Sequence, residues 1–171
     1  AHWQADSRDV FERNPDGNEP PYEGRALESM RDVLNGSQPV IIDASTEIRA
    51  LRGARLAEEF DLDAIILGGG TEFRRVDEIA ATNHPVIVPL LFPDKPKVEG
   101  LRSTEDITLR TLLTWKHAPE NPARLIQAGV PVALTTHRLK SRGDFRKNLA
   151  KAIEHGLDRD DALAAVTINP A

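Results

Sequence analysis

Four short aliphatic runs punctuate the chain, and each is followed by residues whose apolar positions recur at helical spacing. Pro39-Val40-Ile41-Ile42-Asp43-Ala44 shows no polar alternation, and after it Ile48, Leu51, Ala54 and Phe60 share one helical side, with Ser45 as the expected N-cap. Ala64-Ile65-Ile66-Leu67-Gly68-Gly69-Gly70 repeats the unit, followed by Phe73, Val76, Ile79 and Ala80. A third run, Pro85-Val86-Ile87-Val88-Pro89-Leu90, leads into a polar, proline-containing loop, Phe92 to Gly100. A helical stretch with Leu109, Leu112, Leu113, Leu125 and Ile126 then surrounds the kinking sequence Ala118-Pro119-Glu120-Asn121-Pro122 and ends at Gly129. The fourth run is Pro131-Val132-Ala133-Leu134-Thr135-Thr136-His137. Asp144 is the expected cap of a helix closed by Gly156, and Asp158 that of a last short helix.

Continuous aliphatic strands alternating with helices predict an α/β fold with a parallel sheet. Residues 1–38 read instead as a helical lead segment, in which Ala26, Leu27, Met30, Val33 and Leu34 recur at helical spacing before Asn35-Gly36. The expected organisation is therefore a lead over 1–38 and a βα domain over 39–171. Four βα units admit an open doubly wound sheet or half of an eight-stranded barrel, and periodicity does not separate them.

Charge and composition narrow the function. The 171 residues hold 27 acidic against 22 basic side chains, for a net charge of −5. The basic footprint that attraction to nucleic-acid phosphates requires is missing. Without cysteine there is no thiolate zinc site, disulfide or cysteine nucleophile. No run approaches the roughly 20 apolar residues of a membrane helix, and the N-terminal residues do not resemble a signal peptide.

Both candidate architectures put chemistry at the carboxyl ends of the strands. Asp43 there is an acid, a base, a ligand or a helix cap; His137 is a metal ligand, a proton carrier or a polar lining residue. Gly68-Gly69-Gly70 opens a helix and could hold an anion on backbone amides, or serve as a tight turn; it lacks the P-loop lysine and the dinucleotide-binding spacing. No His-x-His, His-Glu-x-x-His or Gly-x-Ser-x-Gly occurs.

An ordered series of segments resembles a known family. Asp43-Ala44-Ser45-Thr46-Glu47-Ile48, Glu58-Glu59-Phe60, Leu67-Gly68-Gly69-Gly70-Thr71-Glu72, Val76 and Pro85-Val86-Ile87-Val88 look like the middle of an amidohydrolase of the imidazolonepropionase-like type. Asn121-Pro122-Ala123-Arg124 through Gly129-Val130, Val132-Ala133-Leu134-Thr135-Thr136, and Gly156-Leu157 through Thr167-Ile168-Asn169-Pro170-Ala171 continue the series. The resemblance implies a partial (β/α)8 barrel comprising strands five to eight at residues 39–44, 64–69, 85–90 and 131–136. It also implies a hydrolase of C–N bonds in cyclic amides, working on zinc or iron.

The departures from the family pattern fall on its metal ligands. Where the family carries histidine on strands five and six this chain has Asp43 and Gly69, and where strand eight supplies an aspartate it has His137. The resemblance therefore implies no cofactor held by this chain alone, with Asp43 and His137 as the catalytic candidates at the mouth and Gly69 as the third strand-end position. The missing barrel half, or a second copy, is the expected partner, beside a small-molecule ligand. Exported relatives make an extracytoplasmic location compatible with the resemblance. A non-catalytic binding module and a flavodoxin-like domain holding a phosphate-containing ligand are the alternative readings.

Overall fold

The computed structural model describes residues 2–17, 19, 30–96 and 107–170. Ala26 and Leu27 of the lead, and the far end of the loop after Phe92, lie outside the described residues. The chain divides into two compact units, one of Ala1–Val40 with Ala57–Asp63, the other of Ile41–Leu56 with Ala64–Ala171.

The first unit contains helix α1 (His2–Arg13), a 3₁₀ turn (Pro15–Gly17) and the short helix α2 (Arg31–Leu34). Gly36 ends α2 in the left-handed region at φ +68, as Asn35-Gly36 predicted.

The second unit is built on a parallel sheet. Its strands are β1 (Val40–Asp43, of which the unit holds Ile41 onward), β2 (Ala64–Leu67), β3 (Val86–Pro89) and β4 (Val132–Thr135), each within the span expected from the aliphatic runs. Helix α3 (Glu47–Glu59) follows β1; a 3₁₀ turn (Glu72–Arg74) and α4 (Val76–Ala80) follow β2. After β3 come α5 (Leu109–His117), a 3₁₀ turn (Ala118–Glu120) and α6 (Asn121–Gln127), and after β4 come α7 (Asp144–Glu154) and α8 (Arg159–Thr167). The proline-rich sequence at 118–122 thus turns the chain between two helices rather than kinking one.

Two caps fall differently from expectation. Thr46, not Ser45, accepts the Arg49 backbone N–H at 3.3 Å. Asp144 is the first helical residue of α7, with Gly143 at the cap position and no side-chain bond there. Asp158 does cap α8, accepting the N–H groups of Asp160 at 2.8 Å and Asp161 at 3.4 Å.

The sheet resolves the ambiguity left by periodicity. Its strands lie in the order β1-β2-β3-β4, without the reversal that defines a doubly wound sheet. Register pairs Ile66 with Val86 and Val86 with Val132, so these share a face with Val88 and Leu134. That face is buried with Ala50, Ile79, Leu125, Ala152 and Ala165 from the helices. Fully burying a side chain such as Leu125 contributes roughly 1.5–3 kcal/mol. Gly53 of α3 lets the helix sit close, because a Cβ there would lie 2.8 Å from Ile42 Cγ2. The opposite face carries Ile65, Leu67, Ile87 and Ala133, all only partly buried, and Ile41 is 57% exposed. Consecutive strands with helices packed on one face and an incompletely covered aliphatic face on the other make a barrel-like arc; a flavodoxin-like sheet is covered on both faces.

Among the described residues no helix is long and apolar enough to cross a membrane.

Candidate functional site

The three glycines after β2 are each required for a different reason. Glu72 turns back into the loop and is completely buried. Its Oε1 accepts the backbone N–H of Gly69 at 2.7 Å and of Gly70 at 3.2 Å, and its Oε2 accepts the Asn121 amide at 2.7 Å. Asn121, also buried, accepts the Phe73 N–H at 2.6 Å through its own carbonyl. A Cβ on Gly68 would lie 2.6 Å from Glu72 Oε1, and one on Gly69 would lie 2.2 Å from the Ser45 carbonyl oxygen. Gly70 takes φ +84. The anion-binding reading of this turn is corrected accordingly: its amides already serve an internal carboxylate.

Asp43 does not cap the helix that follows it. Its exposed carboxylate pairs with Arg138, which stands three residues beyond β4 with an unusual φ of +64. The pair links the two outer strands across the carboxyl edge of the sheet. His137 is exposed, and its backbone N–H donates to Thr135 Oγ1 at 3.1 Å. Among the described residues no contact joins His137 to Asp43; its neighbour Arg138 makes that connection instead.

Zinc or iron, which the family resemblance implies, would need ligating side chains at these strand ends. Position 69 has no room for a ligating side chain, and Asp43 already faces a guanidinium. Among the described residues no three or more His, Cys, Asp or Glu side chains gather as a metal site.

A second cluster at the same edge was not anticipated from the sequence. Glu47, the first residue of α3, is buried, and its Oε2 accepts the Thr71 hydroxyl at 2.8 Å. Its Oε1 faces Arg74 at 3.5 Å and Arg110 at 3.3 Å. Burial alone pushes this carboxyl up, but the Thr71 hydroxyl, its own backbone amide and the two guanidiniums outweigh that and hold it below its ordinary value of 4.5. Arg74 also donates to the Thr114 hydroxyl and lies over the Phe73 ring, 5.5 Å from its centre. Beside this cluster an open cavity of about 380 Å³ is lined by Thr46, Thr71, Arg74, Pro93, Arg110, Thr111 and Thr114. Asp43, Gly69 and His137 are not among its lining residues. One signal was present in the sequence: Thr46-Glu47 and Thr71-Glu72 repeat the same dipeptide shortly after successive strands.

No protein-family model matches the sequence, and no curated protein does. Among solved structures the chain is similar to an amidohydrolase from Thermotoga maritima MSB8, with a TM-score of 0.66 and 23% sequence identity. The match covers 99% of this chain and 42% of that one, so this chain spans less than half the length of its structural neighbour. The likeness establishes an amidohydrolase-like fold.

The lowered carboxyl of Glu47 gives stability a defined pH dependence. A carboxylate favoured in the folded state stabilises it above the ordinary carboxylate range, and that contribution is lost as pH falls through the folded-state value. Urea unfolding from neutral to acid pH should show stability declining in that window, with a shallower decline in Thr71→Val. Parallel curves for the two proteins would contradict the assignment.

Proposed function

We propose that this chain is the second half of a barrel of the imidazolonepropionase-like amidohydrolase type, and that ligand binding at the mouth has replaced hydrolysis at a bound metal. Its strands β1 to β4 take the places of strands five to eight. The observation that carries this reading is the Asp43–Arg138 ion pair. A carboxylate at the end of the first strand, where the resembling family keeps a metal ligand, is matched to a cation that the protein itself supplies. Replacing a metal by a guanidinium keeps the local charge balanced but removes the Lewis acid that would activate water. The close approach of the Ser45 carbonyl to Gly69 supports the same conclusion, since a ligating side chain there would require the backbone to move.

On this reading the partly covered face bearing Ile65, Leu67 and Ile87 belongs to a barrel interior, and its closing strands come from another segment or a second copy. Aliphatic surface and strand edges left in this state favour association.

Two measurements test the proposal. After dialysis against zinc or ferrous iron and removal of loosely held ions, elemental analysis should find no stoichiometric metal in the 171-residue chain or in His137→Ala. One equivalent in the unmodified chain would contradict the loss of the metal site, and its disappearance in His137→Ala would place His137 among the ligands. Light scattering of the same chain should give a dimer, shifted toward monomer by Ile87→Lys. A stable monomer at high concentration would refute closure by a second copy.

A further inference from the structure

We infer that the cavity beside Glu47 binds the carboxylate end of a small, compact monocarboxylic acid. This rests on the proposed reading of the mouth as a binding surface and adds the chemical class of its ligand.

The charge balance points to one negative charge. Arg74 and Arg110 both reach Glu47 Oε1, and this buried carboxylate neutralises one of the two. Among the described residues one positive charge is left at the cavity wall, which matches a carboxylate. A dianionic phosphate would bring excess negative charge next to Glu47.

The two arginines differ in what they can offer. Arg74 is held in place by Glu47, by the Thr114 hydroxyl and by the Phe73 ring, and its side chain is 19% exposed. Arg110 is 67% exposed, and among the described residues its guanidinium makes one long contact, the 3.3 Å approach to Glu47. Its remaining donors form a planar fork suited to two parallel hydrogen bonds with a carboxylate. Glu47 thus fixes the base of the fork and leaves its outer edge available.

The other walls select the body of the ligand. The Thr71 hydroxyl is committed to Glu47 and the Thr114 hydroxyl to the Arg110 carbonyl oxygen, at 2.6 Å. Neither hydroxyl proton is then left for a ligand, and Pro93 adds an apolar ring to the lining. The Thr46 oxygen accepts the Arg49 N–H, and among the described residues nothing accepts its hydroxyl hydrogen, which can serve a ligand oxygen. A volume of about 380 Å³ lies at the small end of ligand sites, which run roughly 300–1,000 Å³. The cavity accordingly accommodates a short apolar chain or a single ring behind the carboxylate.

The test uses pentanoate, its neutral isostere pentanamide and inorganic phosphate, titrated into the 171-residue chain while backbone amide resonances are followed by NMR. Pentanoate should shift Thr46, Thr71 and Thr114 saturably in the millimolar range, and pentanamide and phosphate should each bind at least about tenfold more weakly. Arg110→Gln, at a side chain exposed enough to be changed without unfolding the protein, should weaken pentanoate by about tenfold or more. Arg110→Lys should recover only part of the loss. Equal binding of pentanoate and pentanamide, tighter binding of phosphate, an unaffected Arg110→Gln, or no saturable shift with pentanoate would each overturn the inference. Stoichiometric metal in the dialysed chain would instead remove the reading on which it rests, so the two failures are distinguishable.

Discussion

The geometry of the mouth depends on one buried carboxylate. Glu72 sits in a region without solvent, where a polar side chain is tolerated only if its oxygens are matched by donors. The donors come from two directions: the Gly69 and Gly70 amides just upstream, and the Asn121 side chain 49 residues further along. Meeting all three draws the loop after β2 into a tight turn. The same turn presses Gly69 against the Ser45 carbonyl and leaves positions 68 and 69 without space for a Cβ. A carboxylate satisfied from within thereby determines that this strand end cannot present a ligand side chain.

The repeated Thr-Glu dipeptide shows how environment separates two like residues. Glu72 is surrounded by backbone amides and a side-chain amide and is structural. Glu47 is surrounded by a hydroxyl and two guanidiniums, both on residues that line an open cavity. The first stitches α6 to the end of β2; the second balances the charge of a surface that can receive a ligand. Asp43 and Arg138 repeat the carboxylate–guanidinium pairing at the outer strands.

Much of the fold was legible because its signals are local. The aliphatic runs gave the strands, Asp158 gave a cap, and Gly36 and Gly156 gave helix ends in the left-handed region. The choice between barrel and doubly wound sheet was not legible, because Ile65, Leu67 and Ile87 are as aliphatic as Ile66, Val86 and Val88. Their identity does not reveal whether a helix or another strand is to cover them. The cavity was illegible for a related reason: Glu47 and Arg110 are 63 residues apart and meet only through the packing of α5. Gly68-Gly69-Gly70 was visible as a motif but not as a consequence of Glu72, since a turn that grips an external anion and one that grips its own carboxylate use the same residues.

Hydrogen exchange at Gly69 and Gly70 tests most directly whether this internal carboxylate governs the mouth. If Glu72 holds both amides in the folded state, they should exchange only through global unfolding, with protection matching that of Val86 and Val132 in the sheet, and Glu72→Ala should release both. Rapid exchange of the two glycine amides in the unaltered protein, while the strands stay protected, would contradict it.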